Sequence, residues 1–173
     1  MIIARTLPVA ALSFFLLFQQ PTCAQDASVT GARMIWYGVY QAGSTTTIED
    51  KASPTGRRQV STGIVPPKIN SDRIPAILNT RFGFGYRLSG NPAGAIAKIR
   101  HVRVFPPGGM VNPKTGQRFL KEQVELNLGI DRKDLFIGYL FEENFTLVPG
   151  IWTFEVWHGN RKLLEKKFTV YKP

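Results

Sequence analysis

The chain has 173 residues, 43% of them hydrophobic, with 22 Lys and Arg against 12 Asp and Glu and a formal charge of +10. That length suits one core-bearing domain, and the apolar content excludes a disordered polyelectrolyte. A single cysteine, Cys23, excludes a disulfide scaffold and any thiolate metal cluster.

The N-terminus reads as a secretion signal. Arg5 is the only charge in residues 1–24, and the apolar run 9–18 is too short to span a bilayer. Gln19, Gln20 and Pro21 break the run, and Thr22-Cys23-Ala24 supplies small residues for cleavage after Ala24. The expected mature domain is 25–173, periplasmic or secreted, with no thiol, no transmembrane segment and a charge of +9 once Arg5 is gone. The alternative, lipidation at Cys23, lacks the Leu-small-small context before the cysteine.

Apolar residues in the mature region recur mostly every second position, with turn signals about every ten residues, which predicts an all-β domain. Residues 33–40 are apolar on both faces, as in a doubly covered or bulged strand. Residues 42–73 are polar and predict an edge hairpin turning at Pro54-Thr55-Gly56, with a flexible linker as the other reading. Phe82, Phe84, Tyr86 and Leu88 then alternate with Arg81, Gly83, Gly85 and Arg87, so the rings form a core face and the glycines admit a neighbouring backbone. Across 95–105 the apolar parity switches between Ile99 and Val102; a bulge near Arg100-His101 would mend it and leave Lys98, Arg100, His101 and Arg103 facing solvent.

Residues 106–118 form a long turn-rich loop, the expected functional loop. Leu120, Val124, Leu126 and Leu128 at even positions mark a half-buried strand, a turn occupies 131–134, and 135–141 is an apolar strand. After the corner Leu147-Val148-Pro149-Gly150 the chain ends in a hairpin. A three-residue loop, 159–161, sets Trp152 opposite Phe168 and pairs Trp157 with Leu163 on the outer face, a candidate apolar patch. About seven or eight mainly antiparallel strands of this kind predict a β-sandwich, with a closed barrel as the other option.

Phe82-Gly83, Tyr86-Arg87-Leu88, Phe105-Pro106-Pro107-Gly108, Asn112-Pro113-Lys114-Thr115-Gly116, Leu147-Val148-Pro149-Gly150-Ile151-Trp152 and Lys167-Phe168-Thr169-Val170 occur in that order. Together they resemble a bacterial family of small, mostly exported domains of unknown function, over roughly 29–171. The Pro-Gly-x-Trp corner, which is similar to that of immunoglobulin-like and transthyretin-like modules, is the most specific piece. The resemblance implies an immunoglobulin-like fold and a bacterial envelope setting, and it carries no activity or site residues.

Catalytic motifs are missing: there is no Gly-x-Ser-x-Gly, His-Glu-x-x-His or Walker loop. His101 and His158 are expected at the surface, and Glu49-Asp50, Asp131 with Asp134, and Glu142-Glu143 as solvated turn charges. No metal and no cofactor is expected. The positive signal is cationic: Lys98, Arg100, Arg103, Lys114 and Arg118 form a candidate basic face if they converge. The expected partner is an anionic envelope polymer, a lipid headgroup or an acidic protein, and not nucleic acid, since there is no recognition helix. Two other readings stand beside this non-catalytic module: a hydrolase of envelope polymers using scattered carboxylates and His101, and a subunit or inhibitor acting through a sheet edge.

Overall fold

A computed structural model describes residues 27–132 and 135–173; the expected leader, Cys23 and Gln25 lie outside them, as do Lys133 and Asp134 of the 131–134 turn. The strands in chain order are β1 (Ser28–Val39), β2 (Gln41–Glu49), β3 (Arg57–Val65), β4 (Arg73–Pro75), β5 (Arg81–Asn91), β6 (Ile96–Val104), β7 (Met110–Val111), β8 (Arg118–Phe119), β9 (Lys121–Gly129), β10 (Leu135–Leu140), β11 (Gly150–His158) and β12 (Arg161–Tyr171). A three-stranded sheet, β1-β5-β10, faces a five-stranded sheet, β4-β12-β11-β6-β9. The expected sandwich is therefore present, and the polar stretch after Tyr40 is the expected hairpin, β2-β3.

β5 is the axis of the smaller sheet. Phe82, Phe84, Tyr86 and Leu88 are fully buried between the sheets. Phe82 touches Trp152, Phe154 and Phe168 of the opposite sheet at centroid distances of 5.6, 5.2 and 5.4 Å. On its other face Gly83 lies beside Gly38 of β1 and Gly138 of β10. A Cβ on Gly83 would stand 2.1 Å from the Ile137 carbonyl oxygen, and one on Gly138 2.3 Å from the Tyr40 hydroxyl. Both close approaches require glycine. The groove so left seats Tyr40, which packs on Trp36 at 5.6 Å and Phe136 at 5.8 Å. β1 carries register shifts at Val29/Gly31 and Met34/Trp36, the bulged alternative expected for it, and it is not covered on both faces, since Ile35 and Val39 are exposed.

Trp152 fixes the corner after β10. Its indole N–H donates to the Val148 carbonyl at 2.9 Å, and its ring packs on Phe105 and Tyr139 at 5.0 and 4.9 Å. Burial of so large a ring with its one donor satisfied explains the specificity of the Pro-Gly-x-Trp signature.

Two register expectations are corrected. β6 carries no bulge: it pairs without a shift to β9 from Ile96↔Gly129 to Val104↔Lys121 and to β11 from Arg100↔Trp157 to Val104↔Thr153. Its odd residues, Ala97, Ile99, His101 and Arg103, all face inward beside Phe154 and Val156. In the last hairpin Trp152 does pair with Phe168, but Trp157 pairs with Lys162 and His158 with Arg161. The turn has two residues, with Gly159 at φ +54°, and a bulge at Leu163 restores the longer-loop register further down. Trp157 and Leu163 are thus not a pair: Leu163 packs against the core.

Candidate functional site

The two sheets differ in width, and the site follows from that. β9 is the last strand of the five-stranded sheet and β10 the last of the three-stranded one, so their unpaired edges flank a common gap. Val124, Leu126 and Leu128 point into it from β9 and are only half-buried, because no strand of the smaller sheet lies over them. The β2-β3 hairpin crosses this side of the sandwich, and between hairpin and edges lies a half-open cleft of about 420 Å³.

The cleft has a polar end and an apolar length. Along β9 the inward residues run from Glu122, opposite Arg103, to Leu128, opposite Ala97. Along β10, Leu140 pairs with Arg81 and Leu135 with Tyr86. Arg57, Arg58, Arg81 and Arg103 line the polar end with Glu122 and Glu142, while Leu126, Leu128, Leu135 and Phe136 line the rest and Arg132 the far end.

At the floor Arg103 is 9% and Glu122 6% exposed, and the pair stands 3.4 Å apart from Nη1 to Oε2. Arg103 Nε donates to the Gly138 carbonyl at 2.7 Å, so this guanidinium ties the two sheet edges together. His101, beside it on the same face, is 2% exposed, with Nε2 2.7 Å from the buried Tyr86 hydroxyl. Burial, helped by the Arg103 charge, lowers its pKa to about 3, so the imidazole is neutral. Burial pushes the Tyr40 phenol up to about 12 against the opposing pull of Arg103 and Arg81, and it pushes Tyr86 and Tyr139 up as well.

Polar side chains join the hairpin to the body. Arg57 pairs with Glu143 at 3.0 Å, Gln59 donates to Glu142, and the Asn112 amide donates to the Pro54 carbonyl at 2.9 Å. Arg58 pairs with Asp50 at 3.2 Å. Arg81 differs from these. Its Nη2 donates to Thr45 Oγ1 at 3.3 Å and no carboxylate pairs with it among the described residues; its buried Nε, like those of Arg58 and Arg87, has no hydrogen-bond partner.

The five residues expected to form a basic face do not converge. Lys98 and Arg100 point out from the larger sheet, Lys98 toward Glu125 at 3.4 Å and Arg100 over the Trp157 ring at 5.5 Å. Arg103 points the opposite way, into the cleft. Lys114 and Arg118 are exposed on the loop 106–118, which folds as the β7-β8 ribbon over a buried Met110. Trp157 is flanked by Lys162 at 5.4 Å as well as Arg100, and its indole donates to Glu155 at 2.8 Å, so it forms no apolar patch with Leu163. His158 is partly exposed, with Nδ1 3.1 Å from the Lys98 carbonyl, whereas His101, expected at the surface, is buried. Glu142, expected as a solvated turn charge, lines the cleft.

The family's sequence profile, described as a domain of unknown function (DUF3859), matches residues 28–170. The chain belongs to the DUF3859 family. The crystal structure of an immunoglobulin-like protein from Pseudomonas aeruginosa is similar to this DUF3859 chain, with a TM-score of 0.58 and 27% identity over 81% of this chain and 96% of that one. No curated protein matches the chain. The family and the neighbour together give an immunoglobulin-like domain of unknown function.

Proposed function

We propose that this DUF3859 domain is a non-catalytic binding module of the bacterial envelope, exported by its leader, and that its anionic ligand sits in the cleft between β9 and β10. The carrying observation is Arg81: a guanidinium without a carboxylate partner among the described residues, lining a cleft walled by half-buried leucines, where Arg57, Arg58 and Arg103 each face a carboxylate. A planar cation with donors to spare suits a carboxylate or phosphate. The surplus of +9 in 25–173 favours the approach of such a ligand.

The hydrolase reading has one point in its favour, since Glu122, Glu142 and His101 do line one concave site. Each is already engaged: Glu122 with Arg103, Glu142 with Gln59, and His101 with Tyr86. An imidazole lowered to about pKa 3 is a poor general base near neutrality. The sheet-edge reading rests on β10, an uncharged edge of sequence LFIGYL. Arg103 occupies the Gly138 carbonyl there, which an incoming strand needs.

The test is capture of anionic components from a bacterial envelope extract on immobilised protein at rising salt. Binding through the cleft weakens with salt and with Arg81→Ala and is untouched by Lys98→Ala or Arg100→Ala. Salt-indifferent capture, or loss on changing Lys98 or Arg100 alone, contradicts it.

A further inference from the structure

We propose that the ligand of the cleft is a single-chain amphiphilic anion, its head at Arg81 and its hydrocarbon chain along Leu126, Leu128 and Phe136. This rests on the reading that the cleft is the binding site, and it adds the ligand's chemical class.

A small hydrophilic anion needs the arginines and has no use for an apolar wall. Here inward positions of β9 that should be core are left half-covered, because β9 ends its sheet and lines the cleft. Phe136 and Leu135 at the β10 edge, on opposite faces of their strand, and Val60 of the hairpin line the cleft across from them. Half-buried apolar residues on the inward face of an edge strand are a cost to the free protein that a hydrocarbon chain removes.

Charge is graded along this wall. Arg57, Arg58, Arg81 and Arg103 cluster where β9 presents Glu122 and β10 presents Leu140, while the leucines extend toward Leu128 and Leu135. Three of those guanidiniums face carboxylates, Glu143, Asp50 and Glu122. That leaves Arg81 as the natural partner of an incoming head group. Apart from Arg132 at its far end, the cleft has one arginine-rich end and an apolar length, which matches a ligand with one anionic end and an apolar tail.

Size is compatible with such a chain. A half-open cleft of about 420 Å³ falls in the range of roughly 300–1,000 Å³ that takes small ligands, and a twelve-carbon carboxylate is the probe. A strand of peptide long enough to pair with β10 exceeds this, and it would have to displace both the Arg103–Gly138 bond and the hairpin. The carboxylate could arrive as a free fatty acid, and the same chemistry is offered by an alkyl phosphate.

The test is isothermal titration of the mature protein, below micelle concentrations, with dodecanoate, octanoate, dodecyl phosphate, dodecanol and succinate. Dodecanoate is expected to bind one to one. Each methylene removed costs about fourfold in affinity, which places octanoate about two orders of magnitude weaker. Dodecanol is expected at least tenfold weaker than dodecanoate. Arg81→Gln brings dodecanoate down to the level of dodecanol and leaves dodecanol unchanged, while Arg81→Lys retains most of the binding; thermal melts of both variants confirm that they fold. Tighter binding of dodecyl phosphate than of dodecanoate assigns the head to a phosphate and keeps the amphiphile. Succinate binding as well as dodecanoate, with Arg81 still required, overturns the amphiphile and leaves the anion cleft standing. No binding by any of the five, together with capture from envelope extract indifferent to Arg81, overturns both.

Discussion

Acidification singles out His101. The imidazole is buried between β5 and β9, with the Tyr86 hydroxyl at 2.7 Å and Val124 directly across in the ladder. The charged groups on its side are Arg103 on the same strand and Glu122 opposite Arg103. Its pKa falls from 6.5 to about 3 in the folded chain, desolvation being the larger cause and Arg103 the second. Between those values the unfolded chain holds a proton that the folded chain refuses. Stability from this group is therefore complete above pH 6.5 and drains away as the pH falls toward 3, at up to about 1.4 kcal/mol per pH unit. The loss by pH 4 is about 3 kcal/mol, a large part of a typical stability of ~5–15 kcal/mol. Urea denaturation of the wild type and His101→Gln at intervals from pH 7 to pH 4 reads it directly. Glutamine stays uncharged and can still bond to Tyr86, so its curve should be flatter, with the gap between the two proteins narrowing by about 3 kcal/mol as acid is added. Parallel curves across that range would mean that His101 takes up no extra proton on unfolding.

The Arg103–Glu122 pair should show the asymmetry of a buried ion pair. Arg103→Met alone strands a carboxylate and should cost about 3–5 kcal/mol, while Arg103→Met with Glu122→Leu should recover most of it in denaturant midpoints. Gly83→Ala drives a Cβ to 2.1 Å from the Ile137 carbonyl and should destabilise by at least ~2 kcal/mol, against ~1 kcal/mol for Gly116→Ala, where no atom lies within 4 Å and only the φ of +68° is strained. Trp152→Ala removes a fully buried ring and the bond to Val148, a loss of about 3–5 kcal/mol that calorimetry should register as a melting point lower by about 10 °C or more.

The architecture was legible wherever alternation was clean. β5 showed its buried face in four apolar side chains, the hairpin announced itself by Pro54-Thr55-Gly56, and the corner at Trp152 by its motif. The site was obscured by residues that break alternation for a reason. Arg103 and His101 share parity with Ala97, Ile99 and Phe105, and Glu122 sits among the even leucines of β9. A charged residue on an apolar parity signals a buried pair as readily as a bulge, and Arg103 with Glu122 is that pair. What parity could not supply was the mismatch in sheet width. That β9 and β10 end their sheets side by side, and that Arg57, Arg58 and Arg81 reach the resulting gap, depends on strand order and long-range contacts that one sequence does not encode locally.

On the proposed reading, ligand enters the β9-β10 cleft and leaves the outer basic residues alone. Amide spectra of ¹⁵N-labelled protein spanning 25–173, titrated with dodecanoate, locate the contact residue by residue. Shifts concentrated at Val60, Arg81, Leu126, Leu128 and Phe136 are the predicted result. Shifts centred on Lys98, Arg100 and Trp157 or on the 106–118 loop, with the cleft amides unmoved, would contradict it.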